Sequence, residues 1–134
     1  MLFRSSYKRL RTEALNAQRW NMLHPTEPPK TSYLEDVLAK EKGAFVAVSD
    51  SVKLVPDQIA PWVPGGLFTL GTDGFGRSDT RANLRRFFEV DAESIVIGTL
   101  YALARKGEVK RTLVAQAIKD LGVNPEKVFP VLAT

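Results

Sequence analysis

Two short segments rich in strand-forming residues constrain the fold more than any other feature of this chain. Residues 44–48 form an uninterrupted apolar run, which is typical of a strand buried on both faces, as in a parallel sheet. Residues 67–70, Leu-Phe-Thr-Leu, are predicted to form a second strand. Between them, Pro56 suits the first turn of a helix predicted over residues 57–63. A strand, a helix and a second strand in this order indicate an α/β layer.

Further helices are predicted on both sides of the two strands. The first is predicted over residues 6–18, and a short second helix runs from the capping residue Ser32 to Leu38, with Glu35 as its capping partner. After the second strand, one helix carries Leu84, Phe87 and Phe88. Another runs from Asp91 to Gly107, and a last one contains Leu113 and ends at Gly122. A sheet of two strands is marginally stable. We therefore expect a three-layer α/β domain, with a mixed or parallel sheet and flanking helices, that is truncated at its N-terminus.

Composition and net charge limit the kinds of molecule that this chain is expected to bind. The chain has 134 residues, 44% hydrophobic and 25% charged, which is ordinary for one globular domain or part of one. The net charge of +4 is modest, and its basic clusters alternate with acidic residues, which favours solvated helix faces over nucleic-acid binding. No apolar run approaches membrane-spanning length. The absence of cysteine is compatible with a cytoplasmic location.

The loop after the second apolar run is rich in glycine. It consists of Gly71, Thr72, Asp73, Gly74, Phe75, Gly76, Arg77, Ser78 and Asp79. Its spacing matches neither a dinucleotide-binding fingerprint nor a P-loop, and its two aspartates would repel an anion. A tight turn is favoured, in which Asp73 accepts hydrogen bonds from loop amides or pairs with Arg77, and Ser78 or Asp79 caps the next helix.

Other chemically capable residues have structural interpretations that are favoured. His24 is the sole histidine and precedes a proline in the Pro-rich connector 24–30, so a packed or solvent-facing role is favoured over a metal ligand or general base. Trp20 is expected to anchor this connector to the helix layer. Asp50, Asp57 and Asp73 would meet near one sheet edge, but caps and turns explain them better than a divalent ion does.

Two blocks of the chain resemble a known enzyme family. Residues 71–91, and upstream of them residues 19–25 (Arg-Trp-Asn-Met-Leu-His-Pro), resemble the C-terminal, transketolase-like domain of the homodimeric, thiamine-diphosphate-dependent decarboxylating subunit of the pyruvate dehydrogenase complex. The resemblance covers residues 6–133. It implies that residues 6–134 are an incomplete C-terminal domain and that residues 1–5 are a non-native leader.

The resemblance also implies what the chain does. The parent enzyme decarboxylates pyruvate on thiamine diphosphate with magnesium and transfers the acetyl group to a lipoyl arm. The residues that bind the cofactor lie on other domains of the family, so no catalytic, cofactor-binding or metal-binding residue is expected here, and the isolated chain is expected to be inactive. Its implied partners are the rest of the parent polypeptide, the homodimer partner and the dihydrolipoyl acyltransferase core, with neither nucleic acid nor membrane.

Two alternatives stay open at this point. The chain could be the C-terminal domain of another thiamine-dependent 2-oxo acid dehydrogenase or a transketolase, or a free-standing α/β module that binds a protein or an anion. The apolar cluster at residues 87–96 fits either core packing or subunit contact. Without upstream strands, the sheet edge near Val46 is expected to lack a partner and to promote self-association.

Overall fold

The computed structural model describes residues 7–74 and 78–133 as helices, two short strands and connecting loops. In chain order the elements are α1 (Tyr7–Leu23), α2 (Tyr33–Leu38), β1 (Phe45–Val48), α3 (Leu54–Asp57), a 3₁₀ turn (Ala60–Trp62), β2 (Leu67–Leu70), α4 (Arg81–Phe87), α5 (Ala92–Arg105), α6 (Arg111–Asp120) and a second 3₁₀ turn (Pro130–Leu132). The α/β class is confirmed.

The two strands form a parallel sheet between helices. Phe45 pairs with Leu67 and Val48 with Leu70 at the two ends of the register. On one face, the Phe68 ring meets the ring of Tyr101 from α5 edge-on, with centroids 5.7 Å apart. On the other, the Thr69 hydroxyl donates to the Asp57 carboxylate of α3 at 2.7 Å. The sheet therefore lies between two helical layers.

Backbone groups of β1 alternate between its two sides. The Ser49 amide donates to the Leu70 carbonyl oxygen at 3.0 Å, which places odd-numbered residues toward β2. Because successive backbone groups of a strand point to opposite sides, the amide and carbonyl of Val46 and of Val48 point away from β2. Within the described ranges the sheet has these two strands, so the outer edge of β1 has no strand beside it.

Capping residues define several helix ends as the sequence predicts. The Ser32 hydroxyl accepts from the Glu35 amide at 3.2 Å, and the Glu35 carboxylate accepts from the Ser32 amide at 2.8 Å, so the capping box is present. Asp91 caps α5 by accepting from the Ser94 amide at 3.1 Å. Both α5 and α6 are followed by glycine in the left-handed conformation, at φ +77° and +67°.

Two helix predictions need correction. The helix expected over residues 57–63 is instead the short α3 followed by a 3₁₀ turn, since Pro61 has no amide to donate and its ring disfavours a continuous helix through it. The helix expected over residues 6–18 continues to Leu23 and ends just before His24, whose following proline disfavours the helical conformation.

The buried core is small for a chain of this size. Its hydrophobic members with less than a tenth of their surface exposed are Ala14, Ile59, Trp62, Val63, Leu70 and Ala102. The accessible surface is 9713 Å², whereas a compact monomer of 14.9 kDa has about 7,000 Å². Large apolar side chains contribute to the exposed surface, among them Met22, Leu54 and Leu132.

Candidate functional site: the loops at the carboxyl edge of the sheet

The loops that follow β1 and β2 are joined by hydrogen bonds. The Thr72 amide donates to the Ser51 carbonyl oxygen at 2.9 Å, and its hydroxyl donates to the Asp50 carbonyl oxygen at 2.7 Å. Ligands of open α/β sheets usually bind outside this edge, in the crevice between such loops. Here the backbone groups that line the crevice bond to each other.

Asp73 completes this junction. Its carboxylate accepts from the Lys53 backbone amide at 3.2 Å. The sequence predicted bonds to amides of its own loop or to Arg77, and the observed donor instead belongs to the loop after β1. Arg77 lies outside the described residues, together with Phe75 and Gly76. The carboxylate thus ties one loop to the other.

Two glycines allow the loops to approach each other closely. A Cβ atom at Gly71, which is buried, would lie 2.5 Å from the Ser51 carbonyl oxygen. Gly74 has a φ of +115°, and a Cβ atom there would lie 2.8 Å from the Pro130 carbonyl oxygen. The C-terminal 3₁₀ turn therefore packs against the glycine loop, a contact that no sequence motif indicated.

The cap of α4 lies later than predicted. Thr80, rather than Ser78 or Asp79, is the capping residue, and its hydroxyl accepts from the Asn83 amide at 3.3 Å. Asp79 supports it, because its carboxylate accepts from the Thr80 amide at 2.7 Å and from the Asn83 side chain at 3.0 Å. Ser78 is exposed. Thr, Asp and Ser are all good capping residues, so sequence alone does not choose among neighbours.

Trp20 and His24 form a stacked cluster at the end of α1. Their rings are 4.4 Å apart at 16°, and the Lys30 ammonium group lies 4.1 Å from the indole centroid. His24 Nδ1 is 2.9 Å from the Trp20 carbonyl oxygen, to which it donates. Asn21 closes the connector by bonding both backbone groups of Lys30, at 2.8 and 2.7 Å. These contacts hold the Pro-rich connector against α1.

The three aspartates considered as metal ligands have different surroundings. Asp57 accepts from Thr69 and Asp73 from Lys53, while Asp50 is exposed. Among residues 7–74 and 78–133, no three side chains of the metal-binding types are grouped closely enough to hold an ion.

The turn between α4 and α5 is fixed from the C-terminal segment. Glu89 has a φ of +61°, which is unusual for a residue other than glycine. Lys127 Nζ lies 3.8 Å from the Glu89 carboxylate and donates to the carbonyl oxygens of Arg86 and Phe87, both at 2.7 Å. Arg86 in turn donates to the Gly122 carbonyl oxygen at 2.6 Å.

The apolar cluster at residues 87–96 is partly open to solvent. The rings of Phe87 and Phe88 meet edge-on at 4.9 Å, and Val96 is 46% exposed. Phe88 and Val90 also line a cavity of about 490 Å³, which lies beside the carboxyl-edge loops and is bordered there by Ser49, Asp50, Thr72 and Gly74. Elsewhere, Met22, Leu54 and Leu132 are each at least 70% exposed. Among the described residues, no helix has the length and apolar character needed to span a bilayer.

Comparison with known proteins supplies the family. The family model of the transketolase-like C-terminal domain matches residues 4–91. The chain belongs to the transketolase-like C-terminal domain family. The resemblance carried by residues 19–25 and 71–91 is thereby confirmed. The predicted leader, residues 1–5, lies outside the described residues and stays a prediction.

The matched relatives are pyruvate dehydrogenase E1 components. The chain is 46% identical over 127 residues to that of Pseudomonas aeruginosa, covering 94% of this chain and 14% of the relative. It is 46% identical over 129 residues to that of Haemophilus influenzae, covering 96% and 14%. With that of Mycolicibacterium smegmatis it shares 44% identity over 120 residues, covering 90% and 13%. The chain thus spans about 14% of the length of these relatives.

Proposed function

We propose that this transketolase-like domain provides packing and dimer contacts in a pyruvate dehydrogenase decarboxylating subunit and takes no part in its chemistry. The whole enzyme would decarboxylate pyruvate on thiamine diphosphate with magnesium and transfer the acetyl group to a lipoyl arm, in the cytoplasm. Its partners would be the remaining polypeptide, a second subunit and the dihydrolipoyl acyltransferase core. The relatives' shared name supports this assignment.

The observation that carries the proposal is the hydrogen bonding between the two loops at the carboxyl edge. The loops that border the crevice where an α/β domain would hold a ligand are joined by the bonds of Thr72 and Asp73 and by the close approach at Gly71. The cavity beside them includes Val48, Leu84 and Phe88 in its lining. A loop whose donors and acceptors already pair offers few groups to a cofactor. The pairing gives these conspicuous loop residues a structural role.

A second observation supports the packing role. The outer edge of β1 presents backbone groups without a strand beside them in the described part of the chain. Large apolar side chains are exposed on α1, on the loop after β1 and at the C-terminal turn. An open strand edge together with exposed apolar surface is what a domain shows where it joins a larger structure.

Titration calorimetry of the chain with thiamine diphosphate and magnesium tests the absence of a cofactor role. We expect no saturable heat, because the Thr72 and Lys53 amides are already paired within the chain. Saturable binding at micromolar cofactor would contradict the proposal. Equally, the chain should show no pyruvate decarboxylation when assayed alone.

A chimera tests the positive part of the proposal. In the Pseudomonas aeruginosa relative, the matching 127 residues are replaced by this chain. We expect a dimeric enzyme that keeps pyruvate decarboxylation, since packing contacts tolerate conservative repacking. A chimera that folds and dimerises but has lost its activity would show that the replaced region acts in the chemistry, and would overturn the proposal.

A further inference from the structure

We propose that the C-terminal segment, residues 123–133, is a strap that couples the α4–α5 turn to the two loops at the carboxyl edge of the sheet, with Lys127 as its latch. Loosening one end of the strap then loosens the other. The proposal concerns contacts inside the described chain and goes beyond the packing role proposed above, since no neighbouring domain takes part in it.

The first anchor holds the strap to the end of α4. Lys127 Nζ donates to the carbonyl oxygens of Arg86 and Phe87, both at 2.7 Å, and lies 5.5 Å from the centre of the Phe87 ring. The last carbonyls of a helix have no partner within it, and a cation there also interacts favourably with the helix dipole. The Arg86 guanidinium in turn donates to the Gly122 carbonyl oxygen, immediately before the strap, at 2.6 Å. These bonds fix the strap to the turn from both sides.

The second anchor, Phe129 with Pro130, holds the strap to the carboxyl-edge loops. The Lys53 ammonium group lies 5.3 Å from the centre of the Phe129 ring. Pro130 is buried, and its carbonyl oxygen would lie 2.8 Å from a Cβ atom placed on Gly74. The strap therefore touches both loops, the one after β1 through Lys53 and the one after β2 through Gly74.

Lys53 links this anchor to the hydrogen bonds of the carboxyl edge. Its side chain faces the Phe129 ring, while its backbone amide donates to the Asp73 carboxylate at 3.2 Å. A cation beside an aromatic face is attracted to it, so the ring helps to hold in place the residue whose amide joins the two loops. Phe129 is itself held in the 3₁₀ turn, where its carbonyl oxygen accepts from the Leu132 amide at 2.8 Å.

The two anchors are close together along the chain. Phe129 lies two residues after Lys127, and two fully extended residues span at most about 7 Å. The chain between the anchors therefore has little slack. Lys127 also lies beside Glu89, the residue at φ +61°, so the latch holds the part of the turn where the backbone is strained. A change at this turn thus reaches the carboxyl-edge loops through the strap.

Amide hydrogen exchange on the whole chain tests the coupling from the latch. Lys127→Met keeps most of the length of the side chain and removes its donors. We expect the Thr72 and Lys53 amides to exchange about fivefold faster in this variant, whereas amides in the middle of α1 change little. Lys119→Met is the matched control, because the Lys119 side chain has no bonding partner in the described part of the chain, and it should leave all of these amides unchanged.

The reverse direction is tested from the other anchor. Phe129→Ala removes the ring that faces Lys53 and should speed exchange of the Val90 amide in the α4–α5 turn about fivefold, because coupling between two sites is reciprocal. Val128→Ala, at a neighbouring residue that is 60% exposed, is the control and should leave Val90 unchanged.

Two outcomes would overturn the proposal. One is faster exchange confined to the altered end of the strap, and the other is a uniform acceleration that includes α1. Should Lys127→Met fail to fold, Phe129→Ala decides alone, since Phe129 is 46% exposed and its loss is tolerated more easily. The activity of the chimera does not depend on either result, so the two proposals fail separately.

Discussion

Backbone amides and carbonyls bond to each other at the carboxyl edge of the sheet, whereas those on the outer edge of β1 have no strand beside them in the described ranges. At the carboxyl edge, Thr72 and Asp73 bond the two loops together, and Gly71 lets them touch. Along β1, Val46 and Val48 present backbone groups to no strand in the described ranges. Since buried backbone groups need partners, the loops at the carboxyl edge satisfy each other, whereas the outer edge of β1 is suited to another chain segment.

The largest expected loss of stability comes from a substitution that pushes the two carboxyl-edge loops apart. Gly71→Ala places a Cβ atom 2.5 Å from a backbone carbonyl oxygen, and should lower the free energy of unfolding by about 3 kcal/mol. Gly98→Ala is the matched control. Its Cβ atom meets the flexible Phe68 ring at 2.9 Å, and alanine favours the helix, so its loss should be smaller. Chemical denaturation measures both, and equal losses would contradict a tightly closed edge.

Removing the hydrogen bond that the Asp73 carboxylate accepts should give the next largest loss of stability. Asp73→Ala leaves the half-buried Lys53 amide without an acceptor, and should destabilise the fold by about 2 kcal/mol. Asp73→Asn keeps an acceptor and should lose less.

Thermal melts with and without phosphate separate this structural role from anion binding. If the loop bound an anion, Asp73→Ala would cost little stability and would melt higher in phosphate than without it. A phosphate-dependent gain that is larger in Asp73→Ala than in the unmodified chain would show that the carboxyl edge is a ligand site after all.

The smallest effect is a gain, and it lies far from both edges. Glu89→Gly relieves a left-handed residue at φ +61° and should stabilise the fold by about 1 kcal/mol, less the weak pair with Lys127. Glu89→Ala loses the pair but keeps the strain, so it should not stabilise. Chemical denaturation measures both variants, and a Glu89→Gly variant that is less stable than the unmodified chain would contradict strain at this residue.

Much of the fold could be predicted from the sequence because local signals agreed. An unbroken apolar run located β1, the segment Leu-Phe-Thr-Leu located β2, and the pairing of Ser32 with Glu35 located the start of α2. Predictions were wrong where neighbouring residues compete for one role. Pro61 divided the helix expected over 57–63, and Thr80 took the capping position from Ser78 and Asp79.

The candidate site was harder to predict because its contacts join distant parts of the chain. Asp73 was recognised as a hydrogen-bond acceptor, but its donor, Lys53, lies in another loop. The packing of Pro130 against Gly74 has no local signature either. Local spacing shows which residues can bond, whereas the partner is set by the arrangement of the strands.

Amide hydrogen exchange, measured by NMR on the chain in dilute solution, compares the two edges most directly. We predict that the amides of Val46 and Val48 exchange at least about tenfold faster than those of Ala47, Ser49 and Thr72, which are directed to acceptors within the chain. Equal protection of Val46 and Ala47 in the monomer would contradict an open β1 edge, and rapid exchange of Thr72 would contradict a closed carboxyl edge.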